Sequence, residues 1–175
     1  MKPILSVGCL FALFISACVS DPDAQRTERI KRSAVESSQA FRRGDYETMA
    51  NQTYPKLVSL LGGRKETIAA MKAMMKEVQA RGLVPTAMSV GAPSKPVRSN
   101  GKLFSVVPTS LTMAAPDVRI TQRSFMLAIS TDEGNAWTFL SGSQLTKEIR
   151  AQIIPDLPPD LKLPQEPAPI VQRTR

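Results

Sequence analysis

Cys18 is the residue whose type and surroundings point most directly to chemistry. It follows Ser16 and Ala17, two small residues, at the end of a mostly apolar run from Ile4 to Ile15 that begins shortly after Lys2. A charged head, a short apolar body and small residues before a cut are the layout of a secretory signal. The run is too short to span a bilayer. A thiol at this place is a nucleophile that can accept a covalent group.

The ending Ile15-Ser16-Ala17-Cys18 resembles a bacterial lipobox, in which the cysteine receives a diacylglycerol before cleavage. The resemblance implies a signal peptide at residues 1–17, a lipid on Cys18 and a membrane-anchored envelope lipoprotein. Val19 stands where an aspartate could favour inner-membrane retention, so we expect the outer membrane if the cell has two membranes. One alternative is an ordinary signal cut after Val19, but valine is a poor residue beside such a cut. The other is a buried amino-terminal helix, which Gly8 and the Ser-Asp-Pro-Asp run at Ser20 to Asp23 disfavour.

Composition excludes several kinds of chemistry. The chain has no histidine, and Cys9 would leave with the signal, so Cys18 would be the one cysteine of the mature chain. Histidine triads, histidine-ligated metals, thiol catalysis and cysteine zinc sites are therefore not expected. No phosphate-binding or dinucleotide glycine pattern occurs. The predicted strands at 103–114, 118–130 and 135–141 hold no acidic residue that could act as a base. We expect a protein that is not an enzyme and needs no cofactor or metal.

The formal charge of +8 favours anionic partners at the cell envelope. Lipid headgroups and cell-wall polymers come first, whereas no motif for nucleic acid is present. The charge also fits simple solubility. No acidic residue occurs from Val78 through Pro116, which favours a basic surface. Its candidate residues are Lys95, Arg98, Lys102, Arg119 and Arg123.

The amino-terminal half of the domain has helical patterning. Residues 18–26 are polar and include Pro22, which predicts a lipidated cysteine followed by a flexible tether. Asp45 is expected to cap a short helix, and Pro55 to lie in the first turn of another. Gly82 follows the longest apolar repeat and suits a helix terminus. Four helices are predicted: residues 27–43, a short helix that begins after Asp45, a third that begins at residues 53–55, and Arg64 to Arg81.

The second half is patterned as antiparallel strands. Residues 84–97 predict an irregular edge strand, and Asn100-Gly101 is a strong hairpin signal. The 103–114 strand is expected to be broken or bulged at Pro108. Residues 125–129 are apolar on both faces, which is typical of a covered central strand. Ser143 is expected to cap a last helix, and the proline-rich tail of 155–175 to lie extended, along the domain or free.

The turn between the last two strands carries a recognisable motif. Ser130-Thr131-Asp132-Glu133-Gly134-Asn135-Ala136-Trp137 resembles an Asp-box, with Ala136 in place of threonine. Its aspartate should accept backbone N–H bonds, its glycine should take a positive φ angle, and its tryptophan should pack beneath the loop. The motif recurs in sialidases away from the catalytic site. One copy implies a stabilised hairpin and no glycosidase activity.

The order of elements is similar to the nuclear-transport-factor-2-like, or cystatin-like, superfamily. The resemblance rests on helices, the Gly62-Gly63 break before a long helix, and the antiparallel strands that follow, across residues 27–141. It implies an α+β domain at 27–154 whose curved sheet wraps the long helix into a cone-like fold. Enzymes of that superfamily place an aspartate base and a tyrosine in the cone. Phe41 to Ala50 also resembles a tetratricopeptide turn, a unit that needs stacked repeats.

Two kinds of site follow from the expected cone. The first binds a small apolar or amphipathic ligand, or an envelope protein, through a set of aromatic residues, methionines and one arginine: Tyr46, Tyr54, Met71, Met75, Arg123, Phe125, Trp137 and Phe139. Plain core packing is the alternative for each of them. The second is an enzyme that uses a helix-borne acid, Glu47 or Glu66, with Tyr46 or Tyr54. It requires a carboxylate that points into a cavity.

Overall fold

The computed structural model describes residues 21–173. Within this range the chain forms five α-helices and six strands, which confirms the α+β class with amino-terminal helices, a curved open antiparallel sheet and a short carboxy-terminal helix. The helices are α1 Pro22–Arg43, α2 Tyr46–Gln52, α3 Pro55–Leu60, α4 Arg64–Ala80 and α5 Lys147–Ile153. The strands are β1 Val84–Val90, β2 Val97–Ser99, β3 Lys102–Ala115, β4 Val118–Ser130, β5 Thr138–Ser141 and β6 Ile170–Arg173.

Helix α1 begins five residues earlier than the sequence predicts. The Asp21 side chain accepts a hydrogen bond from the Asp23 backbone N–H at 3.0 Å, and Pro22 occupies the first turn. An aspartate cap, a proline at the first position and an acid in the first turn together start a helix. The predicted tether of residues 18–26 is therefore wrong from Pro22 onward. Residues 18–20 lie outside the described part of the chain.

Local signals fix most of the other boundaries. The Asp45 side chain caps α2 by accepting from the Thr48 backbone N–H at 3.1 Å, as predicted. Gly82 has a φ angle of 74°, in the left-handed region expected after α4. The last helix is capped by Thr146 and not by Ser143, because residues 142–144 form a separate 3-10 helix first. Strand β5 begins at Thr138, since the residues before it belong to the preceding turn.

Two long strands, β3 and β4, form the centre of the sheet. They pair without a register shift from Leu103 opposite Ser130 to Ala115 opposite Val118. Two short strands line each outer edge: β1 and β2 pair with β3, and β5 and β6 pair with β4, all antiparallel. One end of the sheet carries the Asn100-Gly101 turn and the 130–137 turn, and we call it the turn end. The other end, at Pro116-Asp117, is the tip.

The bulge predicted at Pro108 is absent from the β3–β4 ladder. Pro108 pairs with Phe125 in an uninterrupted register, and its carbonyl accepts from the Gly91 N–H at 2.8 Å. In an antiparallel strand the N–H and C=O of one residue point to the same side. The missing N–H of Pro108 therefore faces the irregular segment between β1 and β2, where it interrupts no strand. The register shift lies in β1 instead, between Pro85 and Ala87.

Both faces of the sheet are covered near the turn end. On one face α1 packs Ile30 and Ala34 against sheet residues that include Val107 and Met126. On the other face α3, α5 and the tail pack against alternate residues of the same strands, such as Phe104 and Leu127. We call residues 103–107 with 125–130 the covered half of the sheet. Residues 109–115 with 118–124 form the open half, whose side chains are half-buried or exposed.

The tail is part of the domain. Leu161 is buried in the core under the sheet, with Leu157 and Leu163 packed beside it. Farther along, Gln122 donates to the Pro167 carbonyl at 3.1 Å, and β6 pairs with β4. Of the two predicted arrangements, the tail adopts the one along the domain. The folded unit therefore extends past the predicted end at residue 154.

The helix that lies on the sheet differs from the one that the superfamily resemblance implies. That helix is α1, which contacts β1 and the covered half. Helix α4, which follows the Gly62-Gly63 break, packs on α2 and α3. A cone formed around α4 is therefore not the arrangement of this domain.

Candidate functional site

The 130–137 turn folds as its motif predicts. Asp132 accepts hydrogen bonds from the backbone N–H groups of Asn135, at 3.2 Å, and Ala136, at 3.0 Å. Gly134 has a φ angle of 89°. The Trp137 ring is buried, and its Nε1 donates to the Gly134 carbonyl at 3.2 Å. These bonds give the turn end of the sheet a fixed loop.

The turn is also joined to the first turns of α1. Arg26 Nε donates to the Glu133 carbonyl at 3.1 Å, and Arg29 donates to the Asn135 side chain at 2.9 Å. A Cβ added at Gly134 would lie only 2.9 Å from Cγ of Arg26, so this close approach of the turn to α1 requires glycine. Glu133 also forms an ion pair with Arg98 of β2. Helix α1, β2 and the turn are thus held together at one end of the molecule.

Hydrogen bonds set the protonation of the acids in the turn. Backbone N–H donation, chiefly from Ala136, lowers the pKa of Asp132 below its ordinary value of 3.8. The guanidinium of Arg98 lowers the pKa of Glu133. Both carboxylates are therefore charged at neutral pH, and both act as acceptors and not as proton donors.

A second polar cluster lies under the covered half of the sheet. Lys102 of β3 forms an ion pair with Asp156 of the tail, and their side chains are 19% and 9% exposed. Tyr54, at the start of α3, is 2% exposed and lies beside Lys102. The second carboxylate oxygen of Asp156, Oδ1, is buried with no hydrogen-bond partner among residues 21–173. A buried charge pair with an unused acceptor requires a structural or functional reason.

The cluster keeps its lysine charged and its tyrosine neutral. The hydrogen bond to Asp156 raises the pKa of Lys102, against burial, which lowers it. Burial raises the pKa of the Tyr54 hydroxyl. An ammonium and a neutral phenol both donate hydrogen bonds, so this cluster presents donors.

Lys102 and Tyr54 line a hollow of about 330 Å³ at the turn end. Its apolar walls include Pro55 and Ile129, and the 130–137 turn supplies Thr131, Asp132 and Ala136 on the other side. We call this cavity the Tyr54 hollow. A second hollow of about 460 Å³, between α3 and α5, shares Pro55 and Lys56 with it. The volume of the Tyr54 hollow is at the lower end of the range for small-molecule sites.

The structure does not bring the eight predicted ligand residues together. Tyr54 and Phe125 lie on the α3 face of the sheet, whereas Trp137 and Phe139 lie buried on the α1 face. The remaining four lie elsewhere: Tyr46 on α2, Met71 and Met75 on α4, and Arg123 exposed on the open half. Of the eight, Tyr54 alone lines the Tyr54 hollow. Four of the other seven are buried, as the core-packing alternative predicts: Phe125, Trp137, Phe139 and Met75.

The acids that the enzyme alternative requires lie away from this hollow. Glu47 forms an ion pair with Arg64 at the surface, and Glu66 is exposed beside Gly62. Neither lines the hollows at α3. The carboxylate at the Tyr54 hollow is Asp132, whose oxygens already accept backbone N–H bonds. Neither of the two predicted helix-borne acids lies at the hollow that Tyr54 lines.

The five predicted basic residues do not form one free positive face. Lys95 pairs with Asp23 at 3.2 Å, Arg98 with Glu133, and Lys102 with Asp156. Arg119 and Arg123 point to the same face of β4, in the open half, two strand repeats apart. Three of the five predicted basic residues are thus paired with acids.

The remaining predicted features concern the membrane and metals. Cys18 and the whole predicted signal lie outside the described residues. Within residues 21–173 no helix is long and apolar enough to cross a bilayer. The same range holds no group of three or more potential metal ligands among its aspartate and glutamate residues.

The described residues form an α+β domain with a partly open hollow of about 330 Å³ at one end of an antiparallel sheet. Comparison with protein-family models, with curated proteins and with solved structures finds no match in any of the three.

Sequence reasoning missed the Lys102–Asp156 pair. The two residues are 54 positions apart, and Asp156 lies in a segment that looks like a polar, proline-rich tail. One available signal was the apolar spacing of Leu157, Leu161 and Leu163 after the buried Ile153-Ile154. Leucines at such spacing favour a segment that is packed on the domain.

Proposed function

We propose that this chain is a membrane-anchored envelope lipoprotein whose domain is a non-catalytic module for binding a small amphipathic ligand. The Tyr54 hollow is its binding site. The observation that carries the proposal is a hollow of about 330 Å³ lined by Tyr54 and by Lys102, whose ammonium is paired with the buried Asp156 side chain. The lipobox-like sequence at Ile15 to Cys18 supports the anchor.

The lining of the hollow defines the chemistry of the ligand. Pro55 and Ala136 supply exposed apolar contact area, whereas Ile129 and Tyr54, at 1% and 2% exposed, present little surface to the hollow. Lys102 and Tyr54 supply hydrogen-bond donors, and Asp156 already balances most of the lysine charge. A matching ligand has a compact apolar body and one oxygen acceptor, such as a carbonyl or carboxylate group. Few, well-placed polar groups in an apolar cavity are typical of such sites.

The lack of a suitable base supports a binding role. Asp132 is held by backbone hydrogen bonds, Asp156 is paired with Lys102, and Tyr54 has a raised pKa. A general base must reach its substrate through a free acceptor. Both oxygens of Asp132 accept bonds inside the turn, and the free oxygen of Asp156 is not part of the lining of the hollow. These groups are arranged to hold a ligand in place, and we expect no turnover.

The experiment is native mass spectrometry of the chain purified from membranes of its host. Ala136→Phe puts a large ring at the mouth of the hollow and leaves Lys102 and Asp156 untouched. We expect a co-purifying small molecule on the unmodified chain and its loss from Ala136→Phe. Ala73→Phe, on an exposed face of α4, is the matched control and should keep the molecule. A molecule that stays bound in Ala136→Phe would contradict the site.

A further inference from the structure

The distance along the chain from Cys18 to the folded domain is short. Asp21, the cap of α1, is three residues after Cys18. Three Cα–Cα steps span at most about 11 Å. If Cys18 carries a lipid in the bilayer, the amino-terminal end of α1 is held within about that distance of the anchor.

The first turns of α1 cannot swing away from the sheet, because side-chain contacts hold them to the turn end. Asp23 pairs with Lys95 at 3.2 Å, and Arg26 donates to the Glu133 carbonyl at 3.1 Å. Arg29 adds a bond to the side chain of Asn135 at 2.9 Å. The position of the helix start therefore determines the position of the whole turn end.

The tip lies at the far end of the sheet. From Lys102 to Ala115, β3 covers thirteen residue steps, or about 43 Å. The Tyr54 hollow is at the near end, because Thr131, Asp132 and Ala136 of the turn form one of its walls. The short link to Cys18 and the contacts of α1 are therefore both at the end of the sheet that carries the hollow.

We infer that the turn end lies against the membrane surface and that the tip projects away from it, with the bilayer as the partner of this surface. The inference rests on the proposed acylation of Cys18. It deepens the proposed function, because it places the end of the sheet that carries the Tyr54 hollow near the lipid headgroups, where amphipathic ligands are concentrated.

Charge is not the cause of this contact. Two cations near this end are paired with acids, Arg98 with Glu133 and Lys95 with Asp23. Such a surface gains little from anionic headgroups. The orientation comes from the tether, so it should be the same on neutral vesicles and in high salt.

The test uses the lipidated chain reconstituted into phosphatidylcholine vesicles that contain a headgroup-attached fluorescence quencher. With Cys18 acylated, an introduced cysteine is the unique labelling site of the mature chain. Ala24→Cys labels the exposed start of α1, and Asp117→Cys labels the exposed tip. We expect both variants to float with the vesicles and the Ala24 label to be quenched several-fold more than the Asp117 label. Equal quenching, or stronger quenching at Asp117, would overturn the orientation.

A variant with a longer tether tests whether the short link sets the orientation, while the lipid anchor itself is kept. A flexible Gly-Ser insert of about twelve residues between Ser20 and Asp21 adds roughly 19 Å of average reach. We expect this variant to float normally but to lose the difference between the two labels. A difference that persists unchanged would mean that something other than the tether sets the orientation. If the chains did not float at all, the anchor at Cys18 would be contradicted, and both the proposed function and this inference would fail.

Discussion

The two halves of the sheet share the strands β3 and β4 but differ in how deeply their side chains are buried. In the covered half, residues such as Leu127 and Phe104 are fully buried between α1 on one face and α3, α5 and the tail on the other. In the open half no layer formed by residues 21–173 buries the same two strands, and Val84, Ile170 and Val171 expose apolar surface along its flanking strands. The Tyr54 hollow and the fixed 130–137 turn both belong to the covered half. Stability and the candidate site are therefore concentrated at one end.

The difference between the two halves is tested most directly by the same leucine-to-alanine substitution in each half. Leu127→Ala removes a fully buried side chain, so we expect it to lower the free energy of unfolding by about 4 kcal/mol. Leu111→Ala, at a half-buried position of the open half, should cost about 1 kcal/mol. Urea denaturation measures both. Equal losses would mean that the two halves contribute alike to the core.

The buried ion pair gives the next largest effect. Lys102→Met leaves Asp156 as an unpaired buried acid, which should cost about 3 kcal/mol. Arg123→Met, an exposed cation of the open half, should change stability by less than about 0.5 kcal/mol.

A double variant shows whether the loss comes from the unpaired acid. Adding Asp156→Leu to Lys102→Met should restore most of the stability, because the uncompensated charge is gone. Thermal unfolding of the single and double variants checks this. A double variant as unstable as the single one would mean that Lys102 stabilises the fold by packing and not by its charge.

The smallest expected effect concerns the two turns at opposite ends of the sheet. Asp132→Asn weakens the hydrogen bonds to Asn135 and Ala136 and should cost about 1 kcal/mol at neutral pH. Asp117→Asn, in the exposed tip, should have no measurable effect. Thermal unfolding at pH 7 compares the two variants.

The pH dependence has a definite sign. Because the folded pKa of Asp132 is lowered, its contribution to stability is present above the ordinary value of 3.8 and is lost as the pH falls through the folded pKa. Asp132→Asn lacks this group, so its unfolding temperature should fall less than that of the unmodified chain between about pH 5 and pH 3. Parallel acid profiles for the two chains would show that Asp132 does not couple to folding.

Much of the fold could be predicted where a local signal decides the outcome. Asp45 as a cap, Gly82 after α4 and the Asn100-Gly101 hairpin act through their own backbone or their nearest neighbours. The 130–137 turn is also local, since its bonds join residues at most four positions apart. The apolar run of residues 125–129 correctly predicted a strand covered on both faces.

The candidate site was less predictable because distant contacts form it. Which face of the sheet a strand residue occupies depends on the register between strands, so the sequence did not separate Phe125 of β4 from Phe139 of β5. The tail contributes Asp156 and Leu161 to one layer, although its prolines favoured an irregular segment. At Asp21-Pro22 a helix start was mistaken for a linker, because cap and tether residues have the same polar composition.

The central claim is that Cys18 anchors this domain to a membrane, and the intact mass of the chain extracted from membranes tests it most directly. We expect a mature chain that begins at Cys18 and carries the added mass of a diacylglycerol on its sulfur. An unmodified chain that begins at Ser20, after a cut behind Val19, would contradict the claim.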